Sequence, residues 1–376
     1  MTRRALAQAL LGASACICIY ACATTGAEGE GDRDLPSSGV GPFRKLAGDE
    51  VPGVAPFVLD DERAEYREPS ALSIRVAGEA EPSVVLYAVA RDAAGADGIV
   101  RSRALDGRAF FGATGHTGRS PARVLSADLP WEGGALSGPA ALAVGSEIWL
   151  YYAAAGGVGL ARSVDGVTFS KLPAPVLAAV APSGAETTAP RAPSVYRLPD
   201  GRFRMLYAAG TSIFEAESAD GLAFRRLDPD PRTPEIEPVL APSRPALPSE
   251  LLPNEKGPFD TGRVSDPEVS VRTTPAGRLH IRVLYTGESL AGATVIGFAG
   301  RYGESGPLER QQLPVFAVGK KERAPTMVPV GAGIMLYVQQ DHPAGLGGGE
   351  GYFALSAAYA PGTETLARPL DYPASP

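Results

Sequence analysis

The bulk of this chain has no cysteine: Cys16, Cys18 and Cys22 are the only three in 376 residues. A disulfide framework or a cysteine metal site in the folded part is therefore excluded. Histidine is almost as scarce, and His116, His280 and His342 lie far apart, so no metal-ligand spacing exists and no cofactor is expected. Basic runs are missing too, and the formal charge is −7. A nucleic-acid partner is argued against, because phosphate binding needs a basic face. No Gly-x-Ser-x-Gly elbow marks a serine nucleophile. Ala5 through Ala21 is apolar or small, but too short and too rich in alanine for a convincing membrane span.

That apolar stretch follows Arg3 and Arg4 and reads as a secretory signal. Ile19-Tyr20-Ala21-Cys22 resembles a lipoprotein signal, in which a small residue precedes the cysteine that receives lipid, and Cys22 is the expected lipidation site. Ala13-Ser14-Ala15-Cys16 is a second candidate, and ordinary cleavage at Ala21-Cys22-Ala23 would instead release a soluble protein. Residues 23–40 carry Glu28, Glu30, Asp32 and Asp34 among Gly, Ser and Ala, the composition of a flexible acidic tether. The expected product is an exported protein of the cell envelope, an outer-membrane lipoprotein held by a lipid anchor, with a secreted soluble form as the alternative. Residues 41–376, in a chain of 44% apolar residues, supply enough material for a single large core.

What the chain does have is a repeat. Prolines 69, 139, 193, 267 and 325 each lead into a hydrophobic strand that ends in Leu-Tyr, at Tyr87, Tyr151, Tyr207, Tyr285 and Tyr337. The spacing leaves room for one strand, a turn and the start of a second. Each unit then continues with a third strand, a tight turn and a fourth strand. In the second unit these are Gly159 to Ser163, Asp165-Gly166 and Val167 to Leu172; in the third, Ser212 to Glu217, Asp220-Gly221 and Ala223 to Leu227. Five units of four antiparallel strands predict an all-β fold, a five-bladed β-propeller. Its blades are expected over about 65–125, 136–177, 190–240, 263–316 and 322–360.

The last unit lacks an outer strand of its own. Outer strands read Phe169-Ser170-Lys171-Leu172 and Phe224-Arg225-Arg226-Leu227, and the N-terminal stretch offers Phe43-Arg44-Lys45-Leu46. Residues 43–47 are therefore expected to close the ring. The proline-rich segment 228–262 is expected to lie across the rim without marking a domain boundary.

The turns Ser163-Val164-Asp165-Gly166-Val167-Thr168-Phe169 and Ser218-Ala219-Asp220-Gly221-Leu222-Ala223-Phe224, with Xaa-Pro at the inner-strand starts, resemble the five-bladed propellers of arabinanases, xylosidases and related furanosidases, glycoside hydrolase families 43, 32 and 68. The resemblance covers about 43–360. It implies a carbohydrate ligand and an inverting mechanism, with a carboxylate base, a modulator and a carboxylic acid around the axis. The positions matching base, modulator and acid are Glu68, Gly138 and Arg191. Arginine cannot donate a proton at physiological pH, so the mechanism implied by the resemblance fails as written.

The residues beside the five prolines nonetheless include Glu68, Arg191, Asp266, Glu268 and Arg323. They would form either a ligand-binding ring or two Arg–carboxylate pairs that hold the channel together. A non-canonical glycoside hydrolase using Glu68 and Asp266 as catalytic groups, and a protein-interaction scaffold, are the alternatives. Secondary candidates for ligand contact are Trp131, in a loop before the second inner strand, and Asp341-His342, in a glycine-rich loop that could act as a lid. His280 reads as a sheet-face residue, Trp149 as core, and His116 as surface.

Overall fold

The computed structural model describes residues 43–45, 65–76, 82–91, 95–105, 107, 110–112, 121–251, 257–274, 277–317, 321–331, 333–341, 353–361 and 370–372. By its contacts the chain divides into 1–34 and 35–376, and every described residue lies in the second unit. Cys22 and His342 lie outside the described residues.

Five sheets follow one another along the chain, each with four antiparallel strands built from the inner strand outwards; in blade I, Leu370–Tyr372 adds a short parallel strand beside the inner one, at Ile74–Val76. Blade I comprises Glu65–Val76, Ser83–Arg91, Asp97–Ala104 and Phe111–Gly112. Blade II comprises Ser137–Val144, Glu147–Ala154, Gly157–Ser163 and Ser170–Lys171, and blade III Arg191–Arg197, Phe203–Ala209, Ser212–Ser218 and Arg225–Leu227. Blade IV comprises Arg263–Thr273, Leu279–Glu288, Thr294–Tyr302 and Glu309–Arg310. Blade V has only Arg323–Val330, Gly333–Asp341 and Phe353–Pro361 from its own stretch of chain. This is the five-bladed propeller the repeat predicts.

Arg44–Lys45 supplies the missing fourth strand. Arg44 pairs with Tyr359 and Lys45 with Ala358, both antiparallel, while Phe43 is buried with Phe298, Leu336 and Ala358 between blades IV and V. The N-terminus thus closes the ring, as expected, by hydrogen bonds and one aromatic anchor. Deleting residues 41–50 should lower the melting temperature by roughly 10 °C or more, or abolish a cooperative transition. An unchanged melting curve would show that the ring holds without this strand. The proline-rich segment runs back over blades III and IV: Leu240 bridges Ile213, and Val239 is buried beside Ile213 and Leu308.

The tyrosines of the repeat fall into two registers. In blades I, II and V the residue after the inner-strand proline stands opposite the tyrosine: Ser70 opposite Tyr87, Ala140 opposite Tyr151, Thr326 opposite Tyr337. In blades III and IV it stands opposite the leucine, Ser194 with Leu206 and Glu268 with Leu284. A one-residue shift turns a side chain to the other face of its sheet, and the hydroxyls accordingly find different partners.

The first group locks neighbouring blades. Tyr87 donates to the carbonyl of Gly166 in blade II (2.8 Å), Tyr151 to Gly221 in blade III (3.1 Å), and Tyr337 to Gly107 in blade I (2.7 Å). The acceptors are the glycines of the Asp-Gly turns. Gly166 has φ 70°, and a Cβ there would lie 2.9 Å from the Tyr87 hydroxyl, so the turn and the lock require the same residue.

The second group, Tyr207 and Tyr285, braces single blades around a buried acid, and in blade II Tyr152, the neighbour of Tyr151, does the same. In blade II, Glu132 accepts the Tyr152 hydroxyl (2.7 Å) and Lys171 Nζ (2.8 Å). In blade III, Glu186 accepts Arg226 (2.7 Å) and, more loosely, the Tyr207 hydroxyl (3.4 Å). In blade IV, Asp260 accepts the Tyr285 hydroxyl (2.9 Å) and Arg310 (2.8 Å). Each acid sits in the loop before an inner strand and each base on the outer strand. The pair therefore clamps the two edges of the blade across the tyrosine of its second strand.

Candidate functional site

Every inner strand opens with the same irregularity. The register breaks between Arg67 and Ser70, Ser137 and Ala140, Arg191 and Ser194, Ser265 and Glu268, and Arg323 and Thr326. The residue before each proline has positive φ: Glu68 50°, Gly138 49°, Ala192 43°, Asp266 50° and Ala324 47°. Four of these are not glycine, and a residue preceding proline ordinarily prefers extended backbone. A five-fold bulge of this kind is the part of the site that the sequence conceals. It turns the pre-proline residues and the proline rings inward, where they line an axial cavity of about 30 Å³. That volume admits about one water, well short of a sugar ring.

Inside this ring the polar groups are largely engaged with neighbouring blades. Ser70 Oγ accepts the N–H of Ala141 in blade II (2.9 Å), and Ser194 Oγ accepts Val269 in blade IV (3.0 Å). Glu268 Oε1 accepts Met327 in blade V (3.1 Å), and Thr326 Oγ1 accepts Ala71 in blade I (3.1 Å). The residue after each proline thus caps the second residue after the next proline around the ring. Blade II has Ala140 at this place, without an acceptor. Sequence reasoning missed these fasteners, although one signal was present: Ser, Ser, Glu and Thr recurring beside proline in otherwise apolar strands.

Glu68 belongs to the same set. Its Oε2 accepts the N–H of Gly138 (2.5 Å), and its own N–H donates to Gln339 Oε1 of blade V (3.3 Å). Burial pushes its carboxyl above the usual carboxylate range against the pull of the Gly138 N–H; Asp266 adds to the rise, Arg67 opposes it, and Asp97 adds again. Gly138, the residue before Pro139 in blade II, has no room for a side chain. A Cβ there would lie 2.8 Å from Ala192 Cα and 2.9 Å from Ala192 N.

Glu268, expected as a ligand-contact residue, spans three blades. It accepts the Thr326 hydroxyl (2.9 Å) besides Met327, and a hydrogen bond from the Ser194 side chain also reaches it. Burial outweighs all three and its carboxyl is pushed up to about 7. Because the folded value lies above the unfolded one, its contribution to stability is full below the ordinary carboxyl value and is lost as pH rises through about 7. Glu268→Gln, which keeps the acceptor oxygen, should therefore raise the melting temperature at pH 8 and leave it little changed at pH 4. A lower melting temperature for the variant at pH 8 would refute this reading.

The remaining predicted residues separate. Asp266 accepts the hydroxyl of Ser265 (2.9 Å). Arg191 donates from Nη2 to the Gly210 carbonyl (3.0 Å). The two Arg–carboxylate pairs considered from the sequence do not form: among the described residues, neither Arg191 nor Arg323 has an ion-pair partner, and the Nε of each is buried without an acceptor. Arg67 is the arginine that is neutralised, by Asp97 at 2.7 Å.

Trp131 stacks on Tyr152 with ring centroids 6.0 Å apart and donates its indole N–H to Pro173, so it packs on the outer part of blade II. Asp341 pairs with Lys321 at 2.8 Å. His280 is buried against Tyr302, and Trp149 is core, stacked on Phe203. His116 lies outside the described residues. Among the described residues no group of His, Cys, Asp and Glu could hold a metal ion.

This architecture is shared with solved glycoside hydrolases. A glycosyl hydrolase from Bacteroides ovatus matches with a TM-score of 0.59 at 15% identity, over 86% of this chain and 95% of that one. An α-L-arabinofuranosidase from Clostridium thermocellum matches with a TM-score of 0.50 at 14% identity, over 82% of this chain and 98% of that one. At such identities the likeness defines the fold, a five-bladed propeller of the family 43 glycoside hydrolase type. No protein-family model matches the chain, and no curated protein matches it.

Proposed function

We propose that this chain is an exported, membrane-anchored propeller whose axial ring has a structural or ligand-binding role related to carbohydrate, without the hydrolytic chemistry of the furanosidases. One observation carries the proposal: Glu68, at the position of a catalytic base, has its carboxylate on the Gly138 N–H, and Gly138 is pressed against the backbone of blade III where a modulator acid would stand. Arg191 occupies the place of the proton donor. Inverting hydrolysis needs two carboxyl groups with room for a water and a sugar between them, and this axial ring offers a cavity of about 30 Å³. The fold shared with glycoside hydrolases supports the carbohydrate relation. Export and anchoring rest on the N-terminal signal and Cys22; Cys22→Ser should move the protein from the membrane fraction to the soluble one.

A second reading keeps catalysis. Burial and the nearby charge of Asp266 raise Glu68, as one member of an acid pair would be raised. The two readings separate on a panel of aryl furanosides and pyranosides. The binding reading predicts no turnover by the native chain beyond that of Glu68→Gln and Asp266→Asn. Turnover lost in both variants with unchanged melting temperature would establish the hydrolase. Failure to bind any saccharide, with a protein partner recovered instead, would establish a scaffold.

A further inference from the structure

We infer that the axial ring is a pH-sensitive lock: the two joints made by carboxyl groups, Glu68 on the Gly138 N–H and Glu268 on the Met327 N–H, open as pH rises, while the joint made by the Ser70 hydroxyl stays closed. The device concerns the ring itself and is independent of any ligand. Three acids, Glu68, Asp266 and Glu268, line one cavity of about 30 Å³, and among the described residues no basic side chain lines it. A space that admits about one water cannot hydrate three carboxylates. Charged groups at the strand ends around the mouth are engaged elsewhere: Arg67 with Asp97, Arg191 with the Gly210 carbonyl, Arg263 with Glu288, Lys321 with Asp341 and Glu322 with Gln340. Arg323 of blade V is not part of the cavity wall, and the inner strand of blade II, Ser137–Val144, carries no titratable group.

The residue type at each joint decides whether it titrates. After the five prolines stand Ser70, Ala140, Ser194, Glu268 and Thr326, so one member of the series carries a proton it can lose. The partners of Glu268 are neutral, the Met327 N–H, the Thr326 hydroxyl and Ser194, and burial holds its carboxyl up at about 7. Burial likewise holds Glu68 above the usual carboxylate range, and the charge of Asp266 adds to the effect. Both folded values lie above the unfolded ones. Closure is therefore fully favoured below the ordinary carboxyl value and weakens as pH rises toward the folded one. Opening lets water reach the carboxylates, and it relaxes the positive φ of Glu68 and Asp266, 50° each, which a residue before proline ordinarily avoids. The segments that separate are accordingly the bulges at the mouth.

Amide hydrogen exchange of the full chain, resolved to single residues between about pH 4 and about pH 8 and corrected for intrinsic exchange, tests this. Protection of Met327 should fall about tenfold or more over that range, since one pH unit within the window is worth a factor of about ten in the opening equilibrium. Gly138 should change in the same direction. Ala141, held by Ser70 on the same strand of blade II, should keep its protection. Glu268→Gln should remove the fall at Met327 and leave the one at Gly138. An equal fall at all three amides would mean a general loss of stability and would overturn the lock, as would constant protection at Met327 or Gly138. If the variant fails to fold, the three amides of the unaltered chain decide alone.

Discussion

Lys171→Met should destabilise the protein by roughly 3–5 kcal/mol, the usual cost of leaving one member of a buried ion pair behind. Glu132 is fully buried, and Lys171 is the cation that reaches it, at 2.8 Å. The remaining partners, the Asp128 and Leu129 N–H groups at 2.8 and 2.9 Å and the Tyr152 hydroxyl, hold the carboxylate in place but cannot neutralise it. In the native chain burial opposes ionisation, yet Lys171, the Leu129 N–H, Tyr152 and the Asp128 N–H together outweigh it and hold Glu132 below the usual carboxylate range. Its stabilising effect is therefore present above the ordinary carboxyl value and lost as pH falls through the lowered one. The variant should invert that dependence, becoming relatively more stable in acid because burial now dominates. The double variant Lys171→Met/Glu132→Gln should recover most of the loss. A single variant that melts within a degree of the native chain would mean that the brace does not hold blade II.

Gly138→Asp should cost about 2–5 kcal/mol and should not create a hydrolase. Positive φ alone is not the obstacle, since Glu68, Ala192, Asp266 and Ala324 adopt it at the equivalent places. The obstacle is contact. A Cβ at this position meets Ala192 Cα at 2.8 Å, Ala192 N at 2.9 Å and Pro193 Cδ at 3.2 Å, and backbone atoms cannot swing aside as the end of a side chain can. Displacing this strand also pulls the Gly138 N–H from Glu68. Glycine at position 138 therefore goes with a close approach of blades II and III, and one substitution does not open that space. A Gly138→Asp variant with native melting temperature would refute the close approach.

The architecture was legible because its signals are local. Asp-Gly turns, alternating strands and Xaa-Pro starts placed all five blades, and the likeness of Phe43-Arg44-Lys45 to the outer strands placed the closing one. The Leu-Tyr repeat was right as a count and silent on register: Tyr207 and Tyr285 sit one position along from Tyr87, Tyr151 and Tyr337, and only pairing with a distant strand reveals which face each takes. The positive φ of Glu68 and Asp266 was hidden for a different reason. Residues before proline favour extended backbone, and the bulge that overrides this preference is imposed by the ring. The braces left a trace that is readable in hindsight. Acid and tyrosine are separated by 20, 21 and 25 residues, and acid and base by 39, 40 and 50.

The central claim, that the axial carboxylates fasten blades and do not break glycosidic bonds, is tested most directly by Glu68→Ala beside Glu68→Gln, with melting temperature and glycoside turnover measured on both. Glutamine keeps an acceptor for the Gly138 N–H and should melt close to the native chain, while alanine should lose about 1–3 kcal/mol of stability, and none of the three proteins should turn over a glycoside. Native turnover abolished equally in both variants, with no difference in their melting, would contradict the account.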